Sequence, residues 1–292
     1  TWSASTEQRM ARYQVEAVGL GKEAIGAALG AAGVDATDLG MFVLCSCTGY
    51  AAPGLDVRLA TDLGMTPDTR RVVLGHMGCY AALPGLGVAA DHVAVSGRPA
   101  LLLCVELTTL HLQPPSRDPQ QIVVHALFSD AAAAAVLVPG DRGYRLREVA
   151  SVTDSRFADH MTWDVTGTGF RMGLSPRVPD VLAAHVRDLV TGLLGRHGLE
   201  LSDVDGWAVH PGGPRILDVV ADRLGLAEPA MTASRDTLAV HGNCSSPTVL
   251  MILQELLGRP GGAPGVVVAL AFGPGLTLYA ALLTRAGART TE

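Results

Sequence analysis

The stretch GVDATDLGMFVLCSCTG, Gly33 to Gly49, reads as a helix end, a short polar turn and an apolar strand. GLELSDVDGWAVHPGG, Gly198 to Gly213, reads the same way. Asp38 aligns with Asp203, Phe42 with Trp207, and Cys45 with His210. Outward from each copy the order is shared. An amphipathic helix follows, GLDVRLATDLGM in one copy and PRILDVVADRLGL in the other. Next come HMGCYAALPGLGVAA and VHGNCSSPTVLMILQEL, in which Gly78 matches Gly242 and Cys79 matches Asn243. Two strand-like runs, PALLLCVEL and GVVVALAFG, follow, and then AAAAAVLVP matches LTLYAALLT.

The chain therefore repeats one strand–helix unit. Apolar runs alternating with helical patterns predict an α/β fold of parallel βαβ units with helices covering the sheets. The reading places an N-terminal half at residues 1–140 and a C-terminal half at 141–292, with PGDRGYRLR (139–147) as the crossover. No Pro/Gly/Ser-rich linker separates the halves, so they are expected to share one core.

Composition narrows the function. The 292 residues are 48% hydrophobic and 17% charged, which suits a large packed core and excludes a disordered chain. Aromatics are only 4%, so Ala, Val and Leu must fill that core. A net charge of -6 without a basic tract argues against nucleic acid as a partner. No apolar stretch has the length of a membrane span. Five cysteines, an odd count without a disulfide-like framework, point to reduced thiols in a cytoplasm. Lys22 is the sole lysine, and an Arg-, Ala- and Gly-rich chain has a bacterial composition.

Chemistry is expected at the seams. Cys79 stands where a strand meets a helix, after Gly78, which permits a tight turn. Unpaired N–H groups and the helix dipole there favour thiolate. If the halves pack about a pseudo-twofold axis, Cys79 and Asn243 face one centre, and His210 at its strand end reaches it. The blander readings are an inert buried thiol for Cys79, a turn-capping role for His210 and helix capping for Asn243. Cys45 and Cys47 form a Cys-x-Cys, but no second Cys/His pair completes a tetrahedral metal set, so no metal is expected. Glu106, at the end of its strand, either orients neighbouring backbone or is solvated. GPGLT (273–277) is expected to form a tight turn lining the site.

Together GCYAA, HPGGPRILD, GNCSSPTVL and AFGPGLT resemble the signature blocks of type III polyketide synthases, the chalcone synthase-like enzymes of the thiolase superfamily. ELTTLHLQPP and ALFSDAAAAAVL look similar too, and the resemblance runs from about Arg12 to the end. It implies a thiolase fold, two βαβαβαββ halves in a five-layered αβαβα arrangement, and a homodimer. It also implies a triad of Cys79, His210 and Asn243. Cys79 would take an acyl group from an acyl-CoA starter; His210 and Asn243 would hold the thioester oxygen of malonyl-CoA as CO2 leaves. Neither a metal nor any other cofactor is implied, only CoA thioesters as substrates.

By the same resemblance, Phe128 is a gatekeeper and Met172 the second gatekeeper position, where plant members carry an aromatic residue. Cys47, Thr108 and His111 look like cavity-lining positions; Cys47 and His111 depart from the hydroxyl residues of plant-like members. Ser245 adjoins the site, while Gly212 and Arg215 resemble a CoA-contacting segment, with Arg215 suited to a phosphate. The resemblance further implies residues ahead of Thr1. The bacterial composition and these departures suggest a fatty acyl starter and an alkylpyrone or alkylresorcinol-type product. Two other readings share features of the site. One is an initiating ketoacyl-acyl carrier protein synthase, which usually has an Asn soon after its His, where this chain has Pro211-Gly212-Gly213. The other is an inactive thiolase-like binding subunit.

Overall fold

The computed structural model describes residues 3–258 and 262–286. Helix α1 (Thr6–Ala32) opens with a capping box between Ser5 and Gln8 and stops at Gly33 in the left-handed conformation. Strands β1 (Met41–Ser46), β2 (Arg70–Gly75), β3 (Ala100–Leu107) and β4 (Asp130–Leu137) form one sheet in the order β2-β1-β3-β4. The first three strands are parallel and β4 is antiparallel to β3. A second sheet runs β5-β10-β9-β8, from β5 (Tyr144–Thr153), β8 (Gly206–Val209), β9 (Val266–Gly273) and β10 (Thr277–Arg285). Here β8 and β9 are parallel, as β1 and β3 are, and β10 returns antiparallel like β4.

Strand alternation explains the layers. In β1, Met41, Val43 and Cys45 enter one core, while Phe42 and Leu44 enter another. In β9, Val267, Ala269 and Ala271 join the first of these; Val266, Val268, Leu270 and Phe272 enter a third. The shared core holds α3 (Ala82–Ser96) and α8 (Pro247–Leu257) between the two sheets. Helices α1 and α2 (Leu55–Asp62) cover the outer face of one sheet; α5 (Val178–Gly195) and α6 (Pro214–Leu224) cover the other. The result is the five-layered αβαβα arrangement. Because both faces of β1, β3 and β9 are covered, every residue in them is buried, which gives their largely apolar runs.

The halves are not exact copies of βαβαβαββ: no described strand of the first half corresponds to β5, and the slot of β2 also differs. After β1 and α2 the first half places β2, whereas after β8 and α6 the second half places helix α7 (Thr232–His241). TASRDTLAVH carries Arg235, Asp236 and Thr237 where RRVVLG carries an apolar run, so no strand pattern exists there to pair with β8. Two further elements complete the fold: α4 (Pro119–Leu127) and a hairpin of β6 (Met161–Thr166) and β7 (Gly169–Leu174). No described helix is long and apolar enough to cross a membrane.

Candidate active site

The duplication brings the seams together. Gly78 and Gly242 both adopt positive φ, 70° and 72°, immediately before Cys79 and Asn243. A Cβ on Gly78 would stand 2.8 Å from Pro274 Cδ, and one on Gly242 would stand 2.9 Å from the Leu127 carbonyl oxygen. The chain needs glycine at both points, for backbone angle and for closeness. Cys79 lies in a 3-10 turn, Gly78–Tyr80, that leads into α3. Its thiol shares a cavity wall with Ser245, and the side chains of Ser245 and Asn243 favour its anion.

Asn243 is held firmly. Its N–H donates to Leu127 O at 2.8 Å, and its carbonyl accepts from Ser129 N at 3.0 Å. These bonds form a parallel bridge between Phe128 and Asn243. Asn243 Oδ1 accepts from Ser245 N at 2.8 Å. That bond orients the amide, leaving Nδ2 as the donor end. Ser245 itself has φ of 59°, a strained value for a residue with a Cβ.

His210 follows β8, and its N–H donates to Leu270 O at 2.8 Å. It is fully buried, its ring edge-on to Phe272, and neither ring nitrogen has a partner among the described residues. The β8–β9 register ends at Val209 opposite Leu270, three residues before Gly273, which packs on Tyr80 beside Cys79. Burial pushes its pKa down to about 3, so it is a neutral imidazole with unsatisfied nitrogens.

The thiol departs from expectation. Burial pushes the Cys79 pKa up to about 12, and the side chains of Ser245 and Asn243 offset only part of that. The helix-terminus effect is confined to partial charges over one turn, whereas desolvation acts on the whole anion. Cys79 thus rests as a thiol and His210 as a neutral imidazole.

A cavity of about 30 Å³ adjoins Cys79. Cys47, Thr108, Phe128, Met172 and Ser245 line it, and so does Pro274 in the β9–β10 turn. Cys47 Sγ is 4.0 Å from Ser245 Oγ. Thr108 lends its hydroxyl to Ser129 O at 2.6 Å. His111 is displaced from this chamber: it lines a neighbouring cavity instead. Its Nδ1 accepts from Phe170 N at 2.9 Å, so Nε2 carries the proton and donates to Thr48 O at 2.6 Å. Gly212 lies on the loop beyond His210 and Arg215 in the first turn of α6, and neither lines the chamber; Arg215 is exposed, 3.5 Å from Asp180.

Several contributors had not been anticipated. Trp163 and Met161, from the β6–β7 hairpin, line the chamber, and Trp163 Nε1 donates to Cys47 O at 2.8 Å. His76 joins them with φ of 63°. The signal for His76 was its place two residues before Gly78; for Trp163 there was none beyond its scarcity. Glu106 is fully buried, which removes the solvated reading. It accepts from Cys47 N at 3.0 Å, Thr48 Oγ1 at 2.8 Å and Ser246 Oγ at 2.9 Å. One carboxylate thus ties the end of β1 to the loop carrying Asn243.

Known proteins share this construction. The sequence profile of chalcone and stilbene synthases, N-terminal domain, matches residues 1–141, and that of the C-terminal domain matches 153–286. A 1,3,6,8-tetrahydroxynaphthalene synthase of Streptomyces peucetius is 38% identical over 288 residues, 94% of this chain and 75% of that protein. The alpha-pyrone synthesis polyketide synthase-like Pks18 of Mycobacterium tuberculosis is 33% identical over 285 residues, 94% of this chain and 72% of that one. Among solved structures, PKS-I of the brown alga Ectocarpus siliculosus superposes with a TM-score of 0.93 at 30% identity, covering 97% of this chain and 78% of that one. The 1,3,6,8-tetrahydroxynaphthalene synthase of Streptomyces coelicolor gives 0.88 at 33%, covering 96% and 81%.

Proposed function

This chain belongs to the chalcone and stilbene synthase family, the type III polyketide synthases, and from that premise we propose the following chemistry for it. Cys79 takes an acyl group from an acyl-CoA starter. Sγ attacks the thioester carbonyl while the thiol proton passes to a ring nitrogen of His210; the CoA sulfur then leaves, taking that proton from His210 to depart as the thiol and returning the imidazole to its neutral form. The neutral state of both groups in the closed site suits this concerted transfer better than a preformed ion pair.

Malonyl-CoA follows. Its carboxylate leaves as CO2, and the electron pair moves onto the thioester oxygen as an enolate. Asn243 Nδ2 and a protonated His210 nitrogen are the donors for that oxygen, charge stabilisation placed where charge develops. The enolate carbon then attacks the Cys79 thioester, forming a carbon–carbon bond and expelling the sulfur. Repetition lengthens the chain, and cyclisation releases a pyrone or phenolic product. The observation that carries this reading is the Asn243 amide, whose Oδ1 is fixed by Ser245 N so that Nδ2 is the donor end, next to Ser245, which lines the chamber of the buried Cys79 thiol.

The starter follows from space. A fatty acyl chain needs Met172 and Trp163 to swing away from a chamber of about 30 Å³. A short starter does not, so we favour a short acyl-CoA and a hydroxylated ring product over a fatty acyl starter. Incubation with malonyl-CoA and acyl-CoAs from acetyl to palmitoyl, with products weighed by mass spectrometry, tests both levels. Release of CO2 and CoA dependent on Cys79 is expected, with short starters used best. No condensation with any starter would sink the assignment; a preference for long chains would reverse the starter reading alone.

A further inference from the structure

Helix α4 is built against its own pattern. Its one buried residue is polar Gln121, at 3% exposure, while Ile122 and Val123 on the same helix are 54% and 49% exposed. Such a local inversion marks a site under functional constraint. Gln121 lines a cavity of about 20 Å³ that shares Thr108, Phe128, Trp163 and Met172 with the Cys79 chamber. These four side chains form the partition between the two spaces.

The amide orientation of Gln121 follows from its partners. Nε2 donates to the Met172 carbonyl at 2.8 Å, and a carbonyl can only be met by the nitrogen. The other end is therefore Oε1, which is buried and has no partner among the described residues. Most other polar groups in the same wall are occupied. His111 uses both ring nitrogens, Thr108 donates to Ser129 O, and Gln113 Nε2 donates to the His111 carbonyl at 2.9 Å. The second space thus offers a buried acceptor without a partner among the described residues, beside Leu112, Val124, Phe128, Trp163 and Phe170. What such an acceptor requires is a donor, and an alkyl chain has none.

We propose that the space behind Met172 is a hydroxyl-binding subsite, in which Gln121 Oε1 accepts a hydrogen bond from an enol or phenol O–H of the extended or cyclised chain. Met172 is the movable partition. Its unbranched thioether can change rotamer, while Gln121 Nε2 holds its backbone in place. Swinging that side chain aside joins the two cavities and carries the chain end from Cys79 to Gln121. This inference rests on the polyketide reading and deepens it.

Two small probes test the subsite without turnover: resorcinol, and m-xylene as a ring of similar size without hydroxyls. Calorimetry on wild type, Gln121→Met, Gln121→Glu and Met172→Ala gives the comparison. Gln121→Met is expected to weaken resorcinol about tenfold while m-xylene changes by less than about twofold; Gln121→Glu, measured at a pH where its carboxyl is protonated so that it both donates to the Met172 carbonyl and keeps an acceptor, restores resorcinol. Met172→Ala is expected to tighten resorcinol by opening the partition. Equal weakening of both probes in Gln121→Met, or no weakening of either, would overturn the subsite, as would resorcinol binding that ignores both Gln121 and Met172. Product analysis is a separate arm: wild type that never condenses malonyl-CoA sinks the polyketide assignment, and the probe ratio still decides the subsite.

Discussion

Cys79 stands at the head of a helix, yet its environment holds the proton on. A helix terminus contributes on the order of 1 kcal/mol, while taking an anion out of water costs several. Alkylation of Cys79 by iodoacetamide in the free protein is therefore expected to climb steadily through neutral pH, since the thiol titrates only near about 12. A rate that plateaus near neutrality, followed by peptide mass spectrometry, would show a preformed thiolate instead. Asn243 bears on the next step. Asn243→Ala removes the fixed donor at the enolate oxygen, and malonyl-CoA decarboxylation is expected to fall roughly 10²–10³-fold. Carbon dioxide release measures it; a fall of less than about threefold would remove Asn243 from that role. The roles of Cys79, His210 and Asn243 are proposed; that Cys79 and Asn243 occupy matched seams was legible in the duplication. The thiol's protonation state was not, since burial depends on the whole fold and not on neighbours in sequence.

At the scale of elements, two turns do the positioning. Gly78 makes Cys79 available, and Gly64 offers an internal control: its φ is also 70°, but a Cβ there meets nothing within 4 Å. Gly64→Ala therefore pays backbone strain alone, about 1 kcal/mol. Gly78→Ala adds the collision with Pro274 Cδ at 2.8 Å and is expected to cost roughly 1–3 kcal/mol more. Urea unfolding of the two variants measures the difference; equal losses would show that the β9–β10 turn yields freely. The strand–helix units around these turns were readable from period and repeat. The β6–β7 hairpin was not, because its core-facing Trp163 and Phe170 alternate with solvated residues in a short segment that has no counterpart in the other half. Helix α7 was likewise hidden: the repeat invites a strand there, and only the placement of Arg235 and Asp236 argues otherwise.

For the whole molecule, three cores and five layers follow from alternation along strands buried on both faces, and that much was written in the apolar runs of β1, β3 and β9. What those runs do not show is the charge state of the polar groups sealed inside. His210 and His111 are both held neutral by burial, with pKa values pushed down to about 3 and about 4. An unfolded histidine takes its proton near pH 6.5. Between that pH and the folded values the unfolded chain binds more protons, so stability is fully present above about pH 6.5 and is lost as the pH falls. Each histidine contributes a slope of about 1.4 kcal/mol per pH unit; His111 stops contributing below about 4, and His210 below about 3. Glu106, its pKa raised by burial, works the other way: its contribution is present at low pH and is lost as the pH rises through its folded value. His111→Gln separates these effects. A glutamine amide can donate to Thr48 O and accept from Phe170 N as His111 does, without titrating. Urea midpoints between about pH 6.5 and 4.5 are expected to fall less steeply in this variant, by about 1.4 kcal/mol per unit. Identical slopes in the two proteins would mean that His111 is protonated in the fold, and that the wall joining Thr48 to β7 carries a charge.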